Sequence, residues 1–284
     1  MNKKLKLLLL TFIFIPVFVY ANDSYVNYYG IEMNETEYSN LLGLGFTEEE
    51  IYHMEEEEFN ANKNIESSLE ATTTKYYVET VRYDSTGRVV HSNTSEVTEE
   101  EYNDDMILNM RSTATTETTY KKMVTTIAQA GTKYRYKVTL TWKQLPKVRS
   151  YDIIGIGIEP SLVSITSDVV FNQTYCISNS CTNTNSYYTD SYHTTGAGVS
   201  FKLASNSGIT GLRSYFYYDV SKKNSNQTLN YQYADGDYSH ATSTITASLS
   251  EWYYVNQTGI VLYDNISGYY DAISSAEAEW SGTW

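Results

Sequence analysis

The stretch YKVTLTW, residues 136–142, decides the fold. Successive side chains of a strand point to opposite faces, so Tyr136, Val138, Leu140 and Trp142 make one apolar face while Lys137, Thr139 and Thr141 make a polar one. LRSYFYYDV, residues 212–220, repeats the pattern, with Leu212, Phe216, Tyr218 and Val220 set against Arg213, Tyr215, Tyr217 and Asp219. GVSFKL (198–203), GIVLYDNI (259–266) and SHATSTITASL (239–249) alternate in the same way. YDIIGIGI (151–158) is apolar on both faces, as a central strand would be, with Gly155 and Gly157 permitting close backbone approach. Period two recurs at short spacing between Asn-, Gly- and Ser-rich turns, and no helix-length pattern intervenes. Residues 117–284 are therefore expected to form an antiparallel β-sandwich-like domain, and the protein to be mainly β.

Upstream the period changes. Residues 22–70 read as an acidic helical hairpin: Asn34 caps a first helix that Gly45 ends, and Thr47 caps a second, with Glu50 completing a capping box and Phe46 stapling onto Ile51. Residues 71–116 read as a β-hairpin turning at DSTG (84–87), then a helix capped by Thr98 with Glu101, then a Ser/Thr linker, RSTATTETT. Together these make a small acidic α+β region ahead of the β domain. From residue 22 to 110 there are 21 acidic and 4 basic residues, whereas 111–284 holds 13 of each.

The first 21 residues, MNKKLKLLLLTFIFIPVFVYA, have a basic start, an apolar run and a small residue at Ala21. That is the layout of a secretory signal cleaved after Ala21, which makes the protein secreted and leaves a mature chain of 263 residues (284 minus 21). In an oxidising compartment Cys176 and Cys181, the only cysteines, are expected to form a disulfide closing CISNSC. Nucleic acid is a poor partner for so acidic a chain, because phosphate binding needs a basic footprint. One local exception stands: residues 121–149 hold eight basic residues (Lys121, Lys122, Lys133, Arg135, Lys137, Lys143, Lys147 and Arg149) and no acidic one. This stripe either meets the acidic N-terminal region or binds an external anion such as a wall polymer or lipid headgroup.

Candidate chemistry centres on DGDYSHATS, residues 235–243. The DGD composition reads as a turn, from which Asp237 and His240 could converge. Joined by DSYH (190–193), they would give Asp190, His193, Asp237 and His240, a set that Zn²⁺ or Mn²⁺ accepts. No nucleophile elbow, zinc-protease helix, P-loop or dinucleotide fingerprint is present, so no catalytic residue and no cofactor is assigned. The chain carries 29 tyrosines, several in adjacent pairs that would place one ring on each face of a strand. Exposed tyrosines suit sugar and protein surfaces.

The expected function is therefore non-enzymatic extracellular or cell-surface binding of a cell-wall polymer, glycan or protein. The candidate contacts are Lys133, Arg135, Lys137, Lys143, Tyr215 and Tyr217. Two rivals remain open: a membrane-active β-type pore-forming toxin, from the Ser/Thr alternation of residues 240–249, and a metal-dependent hydrolase. EYSNLLGLGFTEEEI, VTEEEYN and LTWKQLPKVRSYDIIGIGI together make residues 30 to 160 resemble exported proteins of low-GC Gram-positive bacteria, a resemblance that implies no role for any residue.

Overall fold

A computed structural model describes residues 24–104, 116–245, 252–271 and 273–284. The expected signal sequence lies outside them, as do residues 106–110 of the helix expected after Thr98. A two-stranded ribbon, β1 (Tyr25–Val26) with β2 (Glu32–Met33), precedes three short helices, α1 (Glu35–Gly43), α2 (Glu48–Tyr52) and α3 (Glu56–Asn62). Then follow β3 (Ser67–Tyr83), β4 (Val89–Val97), α4 (Glu99–Asn103), β5 (Thr116–Ala130), β6 (Lys133–Trp142), β7 (Tyr151–Ile158), β8 (Val163–Ile165), β9 (Val170–Ile177) and β10 (Ser180–Thr184). The chain continues through β11 (Thr189–His193), β12 (Gly196–Lys202), β13 (Ile209–Lys222), β14 (Tyr231–Ser239), β15 (Tyr253–Asn256), β16 (Gly259–Leu262), α5 (Asp264–Ser267) and β17 (Ala276–Ser281).

The strands form an antiparallel sandwich. One eight-stranded sheet has the order β10-β9-β13-β6-β5-β3-β4, with β8 also on β13, and a five-stranded sheet has the order β11-β12-β7-β14-β17. Their inner faces carry the alternating residues: Tyr136, Val138, Leu140 and Trp142 of β6 and Leu212, Phe216, Tyr218 and Val220 of β13 are all buried against Ile154, Ile156, Val199 and Phe201. Two tyrosine hydroxyls are satisfied across the gap, Tyr218 donating to Ile156 O at 2.8 Å and Tyr136 to Gln232 Oε1 at 2.5 Å. YDIIGIGI is the middle strand of its sheet.

The sandwich has covers on both outer faces. The three N-terminal helices and the ribbon pack Leu41, Leu44, Phe46, Ile51, Met54 and Phe59 onto Tyr215, Tyr217 and Ala130 of the large sheet. Across the molecule, the β15–β16 ribbon and α5 pack Tyr253, Val255, Ile266 and Tyr270 onto Ile153 of the small sheet. The capping boxes at Asn34/Glu37, Thr47/Glu50 and Thr98/Glu101 are all present, and Gly45 takes φ +84° where the first helix ends.

Several expectations change. The helical hairpin is three helices, since the chain breaks after Tyr52 and restarts at Glu56. Residues 71–116 are no separate unit: β3 zips to β5 from Ser67 to Arg82, so the hairpin extends the large sheet. Thr116–Thr119 of the expected linker is already strand. DGD is not a turn but the middle of β14, and its glycine is explained by close approach: a Cβ at Gly236 would collide with Thr125 Oγ1 and reach Val138 Cγ2 at 3.0 Å on the facing sheet. The alternating run after His240 does not continue the strand; His240, Ala241 and Thr242 are buried in irregular chain, and residues 246–249 lie outside the described part.

The Cys176–Cys181 disulfide is formed between directly opposed residues of the β9–β10 hairpin. So short a loop removes little unfolded-chain entropy, about 2 kcal/mol. It pins a hairpin and leaves the two sheets untied.

Candidate functional site

Three of the eight basic residues of the stripe, Lys121, Arg135 and Lys137, are buried, four are half-buried, and Lys147 is exposed. The stripe's odd-numbered members on β6 point to the outer face of the large sheet, where alternation predicts solvent but the N-terminal helices sit. Lys137, 2% exposed, donates to both oxygens of Glu50 at 3.0 and 2.8 Å, to Gly45 O and to Thr139 Oγ1. Glu50 is also the capping-box residue of α2, accepting from Thr47 N at 2.8 Å. One side chain thus starts the helix and fastens it to the sheet. Burial opposes its ionisation, yet the Lys137 ammonium and the Arg213 guanidinium outweigh burial and hold its carboxyl below the usual range.

Arg135 donates to Asp219 Oδ1 at 2.8 Å and to Asn62 Oδ1 of α3 at 2.6 Å, with its guanidinium 4.3 Å from the Tyr217 ring centroid. Tyr215 donates its hydroxyl to Glu58, and Phe46 meets Tyr215 and Tyr217 edge-on. Arg135, Lys137, Tyr215 and Tyr217 are therefore buried beneath the helices and present no surface to an outside ligand, a correction to the expected contact set. Alternation identifies two faces but not what covers each. Lys133 is half-buried at the start of β6. Lys143 is half-buried, bonded to Tyr102 O and lying 4.9 Å over the Tyr102 ring. The end of the stripe reaches an open surface, where Lys147 and Arg149 line a groove of about 700 Å³ with Tyr83 and residues 205–208.

The expected metal set does not assemble. Asp190 and His193 lie on edge strand β11, whereas Asp237 lies on β14 and His240 just beyond it, with β12 and β7 between. Three ladder steps separate them, roughly 14 Å at about 4.8 Å each, far beyond what one ion bridges. His193 is exposed. Asp237 instead accepts Tyr238 N at 2.7 Å and Ile260 N at 2.8 Å, and burial pushes its carboxyl up to about 7. His240 meets Asp152, Nδ1 to Oδ2 at 2.9 Å; although burial disfavours its charge, the Asp152 carboxylate raises the imidazole to about 9. Among the described residues, the one cluster of possible ligands is His53 with Cys176 and Cys181, whose sulfurs are tied in the disulfide.

A second buried polar cluster lies inside the sandwich and includes His240. Lys121, fully buried, contacts Asp271 Oδ2 and lies 3.4 Å from Glu79 Oε2 and 4.9 Å above the Trp142 ring. Asp271 Oδ1 accepts His240 N at 2.6 Å, and Asp152 Oδ2 accepts the Tyr238 hydroxyl at 2.5 Å. No motif links these residues, which come from β3, β5, β7, the end of β14 and the segment after α5. A signal did exist: Lys121 shares inward parity with Met123 and Ile127, and Glu79 with Tyr77 and Val81. Charges at core-facing positions need partners.

At the surface, exposed rings collect at the N-terminal cover. Tyr25, Tyr28, Tyr29 and Tyr52 are 39%, 36%, 43% and 48% exposed. Tyr25 stacks on Tyr38 at 4.0 Å, and Tyr28 meets Tyr29 and Tyr52 edge-on. Tyr25 and Tyr52, with Tyr38, line a cleft of about 440 Å³ whose wall also includes Met33, Ile51, Glu48 and Glu49.

No protein-family model matches the chain, and no curated protein sequence matches it. Among solved structures, the collagen binding domain of the Erysipelothrix rhusiopathiae surface protein RspB aligns over 58% of this chain and 63% of that one, with 7% identity and a TM-score of 0.29. A likeness at that level carries no argument about fold or ligand.

Proposed function

We propose that this protein is exported and acts outside the cell as a non-enzymatic binding protein, and that the tyrosine-bordered cleft of its N-terminal cover is the contact surface. The observation that carries this reading is a concave patch lined by the exposed rings of Tyr25 and Tyr52, with the exposed Tyr28 ring set edge-on against Tyr52. Its foundation is rigid, because α2 is fastened to the sheet through Glu50 and Lys137 and Arg213 bonds Glu49 at 2.9 Å. A glycan of a wall polymer fits its chemistry: sugar C–H faces pack on tyrosine rings, and the Glu48 and Glu49 carboxylates can accept sugar hydroxyls. The basic start and apolar run of the first 21 residues and the disulfide support export.

Binding of the mature chain to purified wall glycans tests the proposal. Tyr25→Ala and Tyr52→Ala are each expected to weaken binding about tenfold, as loss of a contact aromatic does, with the melting temperature little changed. Undiminished binding by the double variant, or capture of protein partners alone, would refute it.

A further inference from the structure

We propose that Lys121 and Asp271 are joined by a covalent amide, formed by the protein itself with Glu79 as the catalytic acid–base, so that the two sheets of the sandwich are cross-linked through their side chains. Three observations carry this. The Lys121 ammonium and the Asp271 carboxyl are in direct contact, and both side chains are fully buried. Glu79, 1% exposed, has Oε2 at 3.4 Å from Lys121 Nζ, and its other oxygen has no hydrogen-bond partner among the described residues. Asp271 Oδ1 accepts the His240 backbone N–H at 2.6 Å, a donor placed where negative charge would develop during attack on Cγ.

As a permanent ion pair this cluster would be costly. Two charges removed from water lose several kcal/mol each, and an amide removes both charges. Burial pushes the Asp271 carboxyl up, towards the protonated form that a nucleophile can attack. At Lys121 burial disfavours the charge, but Asp271 and Glu79 outweigh it, so the amine must first lose a proton. Glu79 is the base within reach.

The step balances without any outside reagent. Lys121 passes one proton to Glu79, and its nitrogen pair attacks Cγ of the protonated Asp271 carboxyl, forming the C–N bond while the C=O electrons move onto Oδ1. The intermediate collapses with cleavage of the C–O bond, and the leaving hydroxyl takes a second nitrogen proton through Glu79 and departs as water. One proton remains on the amide nitrogen and one on Glu79, which is then neutral in its buried site. Trp142, under the ammonium, shields the reacting atoms from solvent.

The amide would connect positions 150 residues apart, tying β5 of the large sheet to the segment that pairs with the end of β14 in the small one. Intact mass after determination of the mature N-terminus, with the disulfide reduced, tests the proposal. The expected value is one water below the sequence mass, with tandem fragmentation locating a Lys121–Asp271 linked peptide pair. Glu79→Gln should have the full sequence mass. Asp271→Asn keeps a leaving group and should lose ammonia, reaching the same cross-linked mass as the parent protein and guarding against a variant that merely misfolds. A parent protein at full sequence mass, or a water loss that maps elsewhere, would overturn the proposal; an unchanged water loss in Glu79→Gln would remove Glu79 from it.

Discussion

Replacing Lys137 with methionine is expected to lower the stability of the folded protein by roughly 3–5 kcal/mol. Methionine fills a similar volume, so the loss is electrostatic. Glu50 is fully buried beneath α2 and has Lys137 as its nearest cation, at 2.8 Å. Without that cation the carboxylate is either charged in a dry site or must take up a proton, and both cost free energy. The loss should therefore be smaller at pH 5 than at pH 8. Glu50→Gln alongside Lys137→Met should recover most of it, because glutamine keeps the capping box at Thr47 and leaves no buried charge. Urea denaturation of the single and double variants measures this. A single-variant loss within about 1 kcal/mol, the range of exposed pairs, would show that Lys137 and Glu50 meet in solvent.

A second large effect is expected from pH. Burial, together with the nearby Glu50, raises the Glu58 carboxyl from 4.5 to about 7, despite the hydroxyl bond from Tyr215 and the Lys137 charge. Burial likewise raises Asp237 from 3.8 to about 7, and Asp152 raises His240 from 6.5 to about 9 against the effect of burial. In all three the folded state holds a proton that the unfolded chain has already released. Their contributions are complete below the unfolded values and are lost as pH rises through the folded ones, so stability falls from about pH 5 to about pH 9. Each group is worth on the order of a few kcal/mol. Together they should lower the melting temperature by roughly 20 °C between those limits. Glu50 has the opposite sign, its contribution disappearing below the ordinary carboxylate range, which places the optimum near pH 5. Glu58→Gln should flatten the profile between about pH 5 and 8. A melting temperature that rises from pH 5 to pH 9 would contradict these assignments.

What was legible in the sequence was local. Alternation in YKVTLTW and LRSYFYYDV gave the sandwich and its inner face, and the Asn34, Thr47 and Thr98 caps placed helix starts correctly. Parity cannot say which face meets water, so alternation gives Lys137 and Tyr215 the pattern of surface groups although helices about 90 residues earlier cover Lys137. DGD has the composition of a turn because glycine serves both turns and close sheet contacts, and only the position of Thr125 distinguishes the two. The Lys121, Glu79 and Asp271 cluster draws on three distant segments, and only their inward parity marked two of them.

The centre of the basic stripe, Lys121, Arg135 and Lys137, is interior structure and not a binding face. Amine-reactive labelling of the native protein, read lysine by lysine by mass spectrometry, tests it most directly. Lys147, which is exposed, should be modified quickly, whereas Lys137 should remain unmodified until denaturant is added. Native labelling of Lys137 at the rate of Lys147 would contradict the account.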